Sequence, residues 1–402
     1  MFLAVGRTTF AENNRHVSLR LHRDNPTTLA SALGSAPAYK RRWPWLAALG
    51  LGMLALSAWQ YGEDGTVTVA VPGVKPARAA ARPFHADCSA SPSGLQDELA
   101  KIAAGFDGKV GIGVTKVGCG WVAGARLDEY FPQQSVSKLW VSLTVLDAID
   151  AGQMKLDQDI TIRPHDLTLF NQPLQWAVLE KGSLTLPVER LMRDALSFSD
   201  NTANDRLLWT VGGPGKVRAT LQDKGIEGIR FGPGERLLQS AVAGLEWTQD
   251  LSVGHTFEQT RARLPDDVRQ AALERYIADP MDGATPTGMV KALAGIASGQ
   301  LLSPQGTAVM MGILSKTHSG PRRLKGGVPA GWKIYHKTGT GQEFGRLATG
   351  YNDVGVLEAP DGSLYALAAM VKETRQPIPV RMEMMQSVTR AIARFHEGTK
   401  KS

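Results

Sequence analysis

Strand-like runs at both ends of the chain, with a long helical stretch between them, predict an α/β (α+β) fold whose single sheet is assembled from both ends. Lys109–Val117 alternates apolar and polar residues, and Gly118-Cys119-Gly120 turns it into a second strand ending near Ala125. Far downstream, Trp332–Thr338, Leu347–Leu357 and Leu364–Lys372 also read as strands, with Gly362 in the turn between the last two. The stretch between these two groups, residues 135–315, is mainly helical in pattern. Ser93 is a capping residue for a helix beginning near Gly94, with Leu95, Leu99, Ile102 and Ala103 on one face. A closing helix spans Val380–Phe395, with Met384, Val388 and Ile392 at four-residue spacing. No internal repeat is visible.

The 402 residues carry a formal net charge of +7, unevenly spread. Residues 1–42 hold seven Lys/Arg against Glu12 and Asp24, so the other 360 residues carry only +2. The basic balance belongs to the tail, and nucleic-acid binding by the main domain has little support. Trp43–Trp59 (WPWLAALGLGMLALSAW) is uncharged and mostly apolar. At a rise of about 1.5 Å per residue it sits at the lower limit for spanning a bilayer core. Lys40, Arg41 and Arg42 precede it, so the positive-inside rule puts the tail in the cytoplasm and the rest outside. The expectation is a basic cytoplasmic tail over 1–42, an inner-membrane anchor helix over 43–60, an Ala/Pro/Gly/Arg-rich linker over 61–90, and a periplasmic domain over 91–398. A cleavable signal peptide is the competing reading, opposed by the 42-residue basic stretch before the apolar run.

Two cysteines, Cys88 and Cys119, lie beyond the apolar run. In an oxidising compartment they can pair and tie the start of the domain to its first hairpin; two unpaired thiols are the alternative. There is no His-Glu-x-x-His and no His/Cys cluster at metal-ligand spacing, which disfavours a metallo-hydrolase and implies no cofactor.

Three short strings carry the chemistry: Ser135-Val136-Ser137-Lys138, Ser199-Asp200-Asn201 and Lys337-Thr338-Gly339-Thr340-Gly341. Ser135 opens a helix, and Lys138, three residues on, shares its face. Serine is a poor nucleophile without a neighbouring base. A lysine serves once burial and nearby positive charge lower its pKa. The helix N-terminus adds backbone N–H groups and a positive dipole end for a developing oxyanion. Taken singly, each string has a plainer reading: a capping serine with a solvated lysine, a polar turn, and a Gly-rich turn after the strand WKIYHKTGTG. Their ordered occurrence, at separations of 64 and 138 residues, describes one acyl-transfer site.

On these motifs the chain resembles the serine β-lactamase and penicillin-binding protein family, closest to class A β-lactamases, over about residues 91–398. The resemblance implies a five-stranded antiparallel sheet flanked by helices, an all-helical subdomain, and a site in the cleft between them. It implies Ser135 as nucleophile, Lys138 as its base, and Ser199 as the relay of a proton to the leaving nitrogen. It gives Asn201 the tasks of bonding the substrate's side-chain amide and orienting Lys138, while Asp200 is structural. Lys337 and Thr338 bind a substrate carboxylate, and the Thr340 N–H pairs with that of Ser135 as the oxyanion hole. Arg346, nine residues past Lys337, stands at the spacing of a carboxylate-binding arginine; a surface arginine on an edge strand is the alternative.

Glu235 lies 34 positions after Asn201, the class A spacing for the glutamate that activates the deacylating water. It begins Glu-Arg-Leu-Leu-Gln where the family usually shows Glu-x-x-Leu-Asn, so Gln239 replaces the asparagine that helps hold that water. Pro233 stands where the family has a loop-pinning arginine, and some thirty extra residues, with a helix over Asp266–Ala278, separate Gln239 from Asp282–Met289. The resulting expectation is a membrane-anchored β-lactamase with slow deacylation, acting on a β-lactam. A peptidoglycan D,D-peptidase or related cell-wall peptide hydrolase, and a β-lactam or muropeptide receptor that acylates without turnover, remain the rival readings.

Overall fold

The computed structural model describes residues 59–61, 67–69, 88–170 and 172–400. The chain divides into two units, 1–77 and 78–402. In the first, Trp59–Tyr61 and Val67–Val69 pair as an antiparallel two-stranded ribbon. Trp59 and Gln60 are therefore strand rather than the last two residues of an anchor helix, and part of the expected linker has paired backbone. The remainder of the expected tail and membrane segment lies outside the described residues. Among the described residues no helix is long and apolar enough to cross a membrane.

The second unit is built on one antiparallel sheet. Its strands are β1 (Gly108–Lys116), β2 (Ala123–Ala125), β3 (Lys333–Gly339), β4 (Glu343–Phe344), β5 (Leu347–Glu358) and β6 (Leu364–Thr374). The order runs β4-β5-β6-β1-β2, and β3 pairs with β5 on the same edge as β4. The expected five strands thus become five positions holding six strands, because the outer edge breaks at Thr340–Gln342. The sheet does join the two ends of the domain: β6 of the C-terminal group pairs with β1 of the N-terminal group, Tyr365 opposite Lys116.

One face of the sheet is covered by α1 (Ser93–Ala104) and α7 (Ile378–Thr399). Leu95 and Leu99 of α1 and Met384, Met385, Val388 and Ile392 of α7 are buried there against Val110, Ile112, Leu367 and Ala369. The other face meets the helical subdomain. At its centre is α2 (Lys138–Asp150), whose residues from Lys138 to Leu146 are all buried. An apolar sequence on every side of a helix suits only full burial, and Trp140, Leu143 and Leu146 form one core with Leu191, Met192, Leu207, Leu208 and Met289. The helices used below are α3 (Asn201–Thr210), α4 (Glu235–Ala243), α5 (Asp266–Ala278) and α6 (Pro286–Ala297). The stretch expected to be helical also holds a two-stranded antiparallel ribbon, Asp159–Ile162 with Leu184–Pro187. Cys88 and Cys119 form a disulfide.

Candidate active site

Ser135 stands on a 3-10 turn, Gln134–Ser137, that runs directly into α2. The turn is anchored from beneath by the buried amide of Gln133. Its Nε2 donates to the carbonyls of Arg230 (2.9 Å) and Asp282 (2.5 Å), and its Oε1 accepts from Trp140 Nε1 (2.6 Å). Gln134 has φ +54°, a conformation L-residues rarely adopt. Phe170 (φ +68°) and Ser199 (φ +62°) share that feature and line the same cleft. Strained backbone of this kind persists only where its surroundings over-determine it, and functional sites are where it gathers.

One turn into α2, the Lys138 ammonium is fully buried. It donates to Ser135 Oγ (2.9 Å), to Asn201 Oδ1 (2.8 Å) and to Glu235 Oε1. Three protons meet three acceptors. Asp200 caps α3 by accepting from the Ala203 amide (2.8 Å), which sets Asn201 at the first helical position. Further along α3, Asp205 accepts from the backbone N–H groups of Glu235 (3.0 Å) and Arg236 (3.3 Å), so α3 caps α4 and thereby fixes Glu235. Burial pushes the carboxyls of Asp200 and Asp205 up to about 6, with Glu235 adding to the effect at Asp205.

The opposite wall is β3. Lys337 is buried and donates to Ser199 Oγ (2.9 Å) and the Thr338 carbonyl (2.8 Å). Burial, then the neighbouring Lys138 charge, holds its pKa well below the ordinary lysine range. Gly339 is required by contact: a Cβ there would stand 2.3 Å from the Gln133 carbonyl, the residue that anchors the Ser135 turn. Thr338 and Thr340 line the cleft, a space of about 220 Å³, together with Ser135, Ser199, Asn201, Glu235 and Gln239.

Arg346 is not in that wall. It lies exposed in the two-residue turn between β4 and β5, because the chain leaves the cleft edge after Gly341 and folds back at Gly345. The arginine that does line the cleft is Arg323. Its guanidinium stacks 3.8 Å over the Tyr351 ring and donates to the carbonyls of Gly339 (2.8 Å) and Asn352 (2.7 Å) and to Thr340 Oγ1 (2.6 Å). Nothing in the aperiodic segment HSGPRRLKGG distinguishes it from a surface arginine. Gln172 was equally silent in the sequence; its amide accepts from the Asn201 N–H and donates to the Ser199 carbonyl (3.1 Å). Gln239 lines the cleft, but its amide is engaged on both sides. Nε2 donates to Gln134 Oε1 (2.8 Å) and Oε1 accepts from Gln342 Nε2 (3.1 Å). Among the described residues no three His, Cys, Asp or Glu gather as a metal set.

The fold and cleft define a serine acyl-transfer enzyme: a hydroxyl on a helix N-terminus, a buried amine against it, a carboxylate behind the amine, and a cationic wall opposite. Residues 94–395 match the model of the β-lactamase enzyme family, and the chain belongs to that family as a class A-like serine hydrolase. It is 27% identical over 268 residues to β-lactamase VEB-1 of Pseudomonas aeruginosa, covering 65% of this chain and 77% of that protein. Extended-spectrum β-lactamase PER-1 of the same organism is 28% identical over 272 residues (66% of this chain, 76% of that protein). A solved β-lactamase from Chitinophaga pinensis superimposes with a TM-score of 0.61 at 25% identity, covering 74% of this chain and 97% of that one.

Proposed function

We propose that the enzyme opens β-lactam rings through a Ser135 acyl-enzyme and releases the product slowly through Glu235. The observation that carries this reading is the Lys138 ammonium held between Ser135 Oγ and Glu235. An ammonium has no lone pair with which to take a proton. Passing one proton from Lys138 to Glu235 leaves a neutral amine facing the hydroxyl. That amine takes the Ser135 proton as Oγ bonds to the lactam carbonyl carbon. The N–H groups of Ser135 and Thr340 receive the oxyanion. The ring C–N bond then breaks, its nitrogen taking a proton from Ser199 Oγ, and the proton that Lys138 removed from Ser135 restores that hydroxyl. Lys138, now neutral, takes back the proton it passed to Glu235. The Glu235 carboxylate then takes a proton from the water that attacks the ester carbonyl, and Ser135 Oγ leaves with a proton from Lys138. Lys337, Thr338, Thr340 and Arg323 hold the substrate carboxylate, and Asn201 holds its side-chain amide.

Two features support slow release. The Gln239 amide is already committed to Gln134 and Gln342, leaving it little capacity for an attacking water. In the ground state Glu235 is paired with Lys138 rather than open to solvent. Glu235→Ala also removes the charge that holds the buried Lys138 as an ammonium, leaving a neutral amine to take the Ser135 proton. Acylation should be largely preserved and acyl-enzyme should accumulate, seen as a stoichiometric mass adduct on the full chain after mixing with a chromogenic cephalosporin. Unchanged steady-state turnover in that variant would show that Glu235 is not the base. A wild-type burst with no turnover would favour the receptor or D,D-peptidase readings. The domain is proposed to act in the periplasm on an uncleaved anchor, supported by the basic flank before Trp43 and the Cys88–Cys119 disulfide. The same spectra give the mature N-terminus, and a start between residues 59 and 90 would sink the anchor.

A further inference from the structure

The segment between Gln239 and Asp282 contributes more than length. Its helix α5 lies against α4, where Leu273, Tyr276 and Ile277 share an apolar cluster with Leu238 and Val242. From this cluster the Tyr276 hydroxyl reaches a buried polar chain. It donates to Asp282 Oδ1 (2.8 Å) and accepts from Gln134 Nε2 (2.6 Å). Asp282 Oδ2 accepts from the Gln134 backbone N–H (2.7 Å). Gln134 Oε1 accepts from Gln239 Nε2, which also lies 3.4 Å from Glu235 Oε2. Every side chain in this series is at most 4% exposed. Among the described residues no lysine, arginine or histidine pairs with Asp282, and burial pushes its carboxyl up to about 6.

The directions in this series are forced. An ionised carboxylate only accepts, so Tyr276 must donate to Asp282 and spend its lone pair on Gln134 Nε2. That leaves Gln134 to present Oε1 to Gln239, and Gln239 to present Nε2 to Gln134 and Glu235. Were the Gln134 amide to turn over, the Gln239 amide would follow, and an amide oxygen would face the Glu235 carboxylate. We propose that Tyr276, supplied by the inserted helix, is a positioning residue for deacylation, setting through Asp282 and Gln134 the orientation of the Gln239 amide and hence the Glu235 carboxylate. The proposal rests on the reading of Glu235 as the deacylating base.

Tyr276→Phe removes one oxygen and keeps the ring in its cluster. In stopped-flow and single-turnover measurements on the full chain with a chromogenic cephalosporin, acylation should stay within twofold of wild type. Deacylation should slow about tenfold, so that kcat and KM fall together and kcat/KM is preserved. Leu273→Ala, which loosens the same helix without touching the polar series, should lower the thermal midpoint and leave deacylation within twofold. Deacylation at wild-type rate in Tyr276→Phe, while Glu235→Ala still accumulates acyl-enzyme, overturns this proposal alone. Equal slowing by Leu273→Ala also overturns it, since packing would then be the cause. Normal turnover in Glu235→Ala removes the base assignment and this inference with it.

Discussion

Arg323 is bound on three sides before any substrate arrives, with its guanidinium on the Tyr351 ring and its donors on Gly339, Asn352 and Thr340. A preorganised guanidinium loses little entropy when it takes a carboxylate. Removing a charge-assisted hydrogen bond costs about 1.5–3 kcal/mol, so Arg323→Ala should lower kcat/KM roughly 10- to 100-fold on a substrate with a carboxylate. The loss should shrink for an analogue lacking the carboxylate, and Arg346→Ala should stay within about twofold on both. Equal losses for both substrates would make Arg323 a structural residue. Nine residues from Lys337 to Arg346 is a distance in sequence, and the hairpin at Gly345 turns it away from the cleft. Arg323 reaches the cleft from a loop with no periodicity to mark it.

Among the elements, α3 and α4 form a coupled pair. Asp205, one turn into α3, serves as the cap of α4 and so ties the Ser199-Asp200-Asn201 turn to the segment carrying Glu235. Losing a cap costs about 0.5–2 kcal/mol. Asp205→Ala should therefore lower the thermal midpoint by a few degrees and slow deacylation more than acylation, measured by calorimetry and by the burst-to-steady-state ratio. A change in stability without that kinetic asymmetry would mean that α4 does not need this cap to hold Glu235. Elements were the most legible level in the sequence. Strand-like runs marked β5 and β6, four-residue spacing marked α7, and the helix Asp266–Ala278 falls where its pattern puts it. Edges were less legible. The second strand shrinks to Ala123–Ala125 and the break between β3 and β4 was missed, because edge pairing depends on neighbours that periodicity does not encode.

For the whole molecule, three buried carboxyls around the cleft oppose the usual effect of acid. Asp200, Asp205 and Asp282 are each pushed up to about 6 by burial, from about 3.8 when exposed. A carboxyl whose folded pKa is raised binds protons more tightly in the folded state, so stability rises as pH falls through the window from about 6 to 4. His396, whose pKa burial lowers, acts in the opposite direction below its ordinary value near 6.5. Asp361, lowered to about 2, loses its contribution only below that window. The buried Lys337, also held below its ordinary range, acts in the same direction as His396. Three carboxyls against these two groups predict a higher thermal midpoint at pH 5 than at pH 7.5; a fall of several degrees would show that these carboxyls stay ionised. How the sheet joins the two chain ends was readable from the sequence, since strands flank the helical middle. The polar series from Tyr276 to Glu235 was not, because Gln134, Tyr276 and Asp282 are up to 148 residues apart and meet only in the folded core.

The whole mechanism turns on one residue, Ser135, carrying the acyl group. Intact-mass and peptide mass spectrometry of the full chain, quenched within the first turnover of a cephalosporin, tests it most directly. A Ser135 nucleophile gives one adduct per chain, on the peptide holding Ser135 and absent in Ser135→Ala, forming faster than it disappears. An adduct on any other residue, or full turnover by Ser135→Ala, would contradict it.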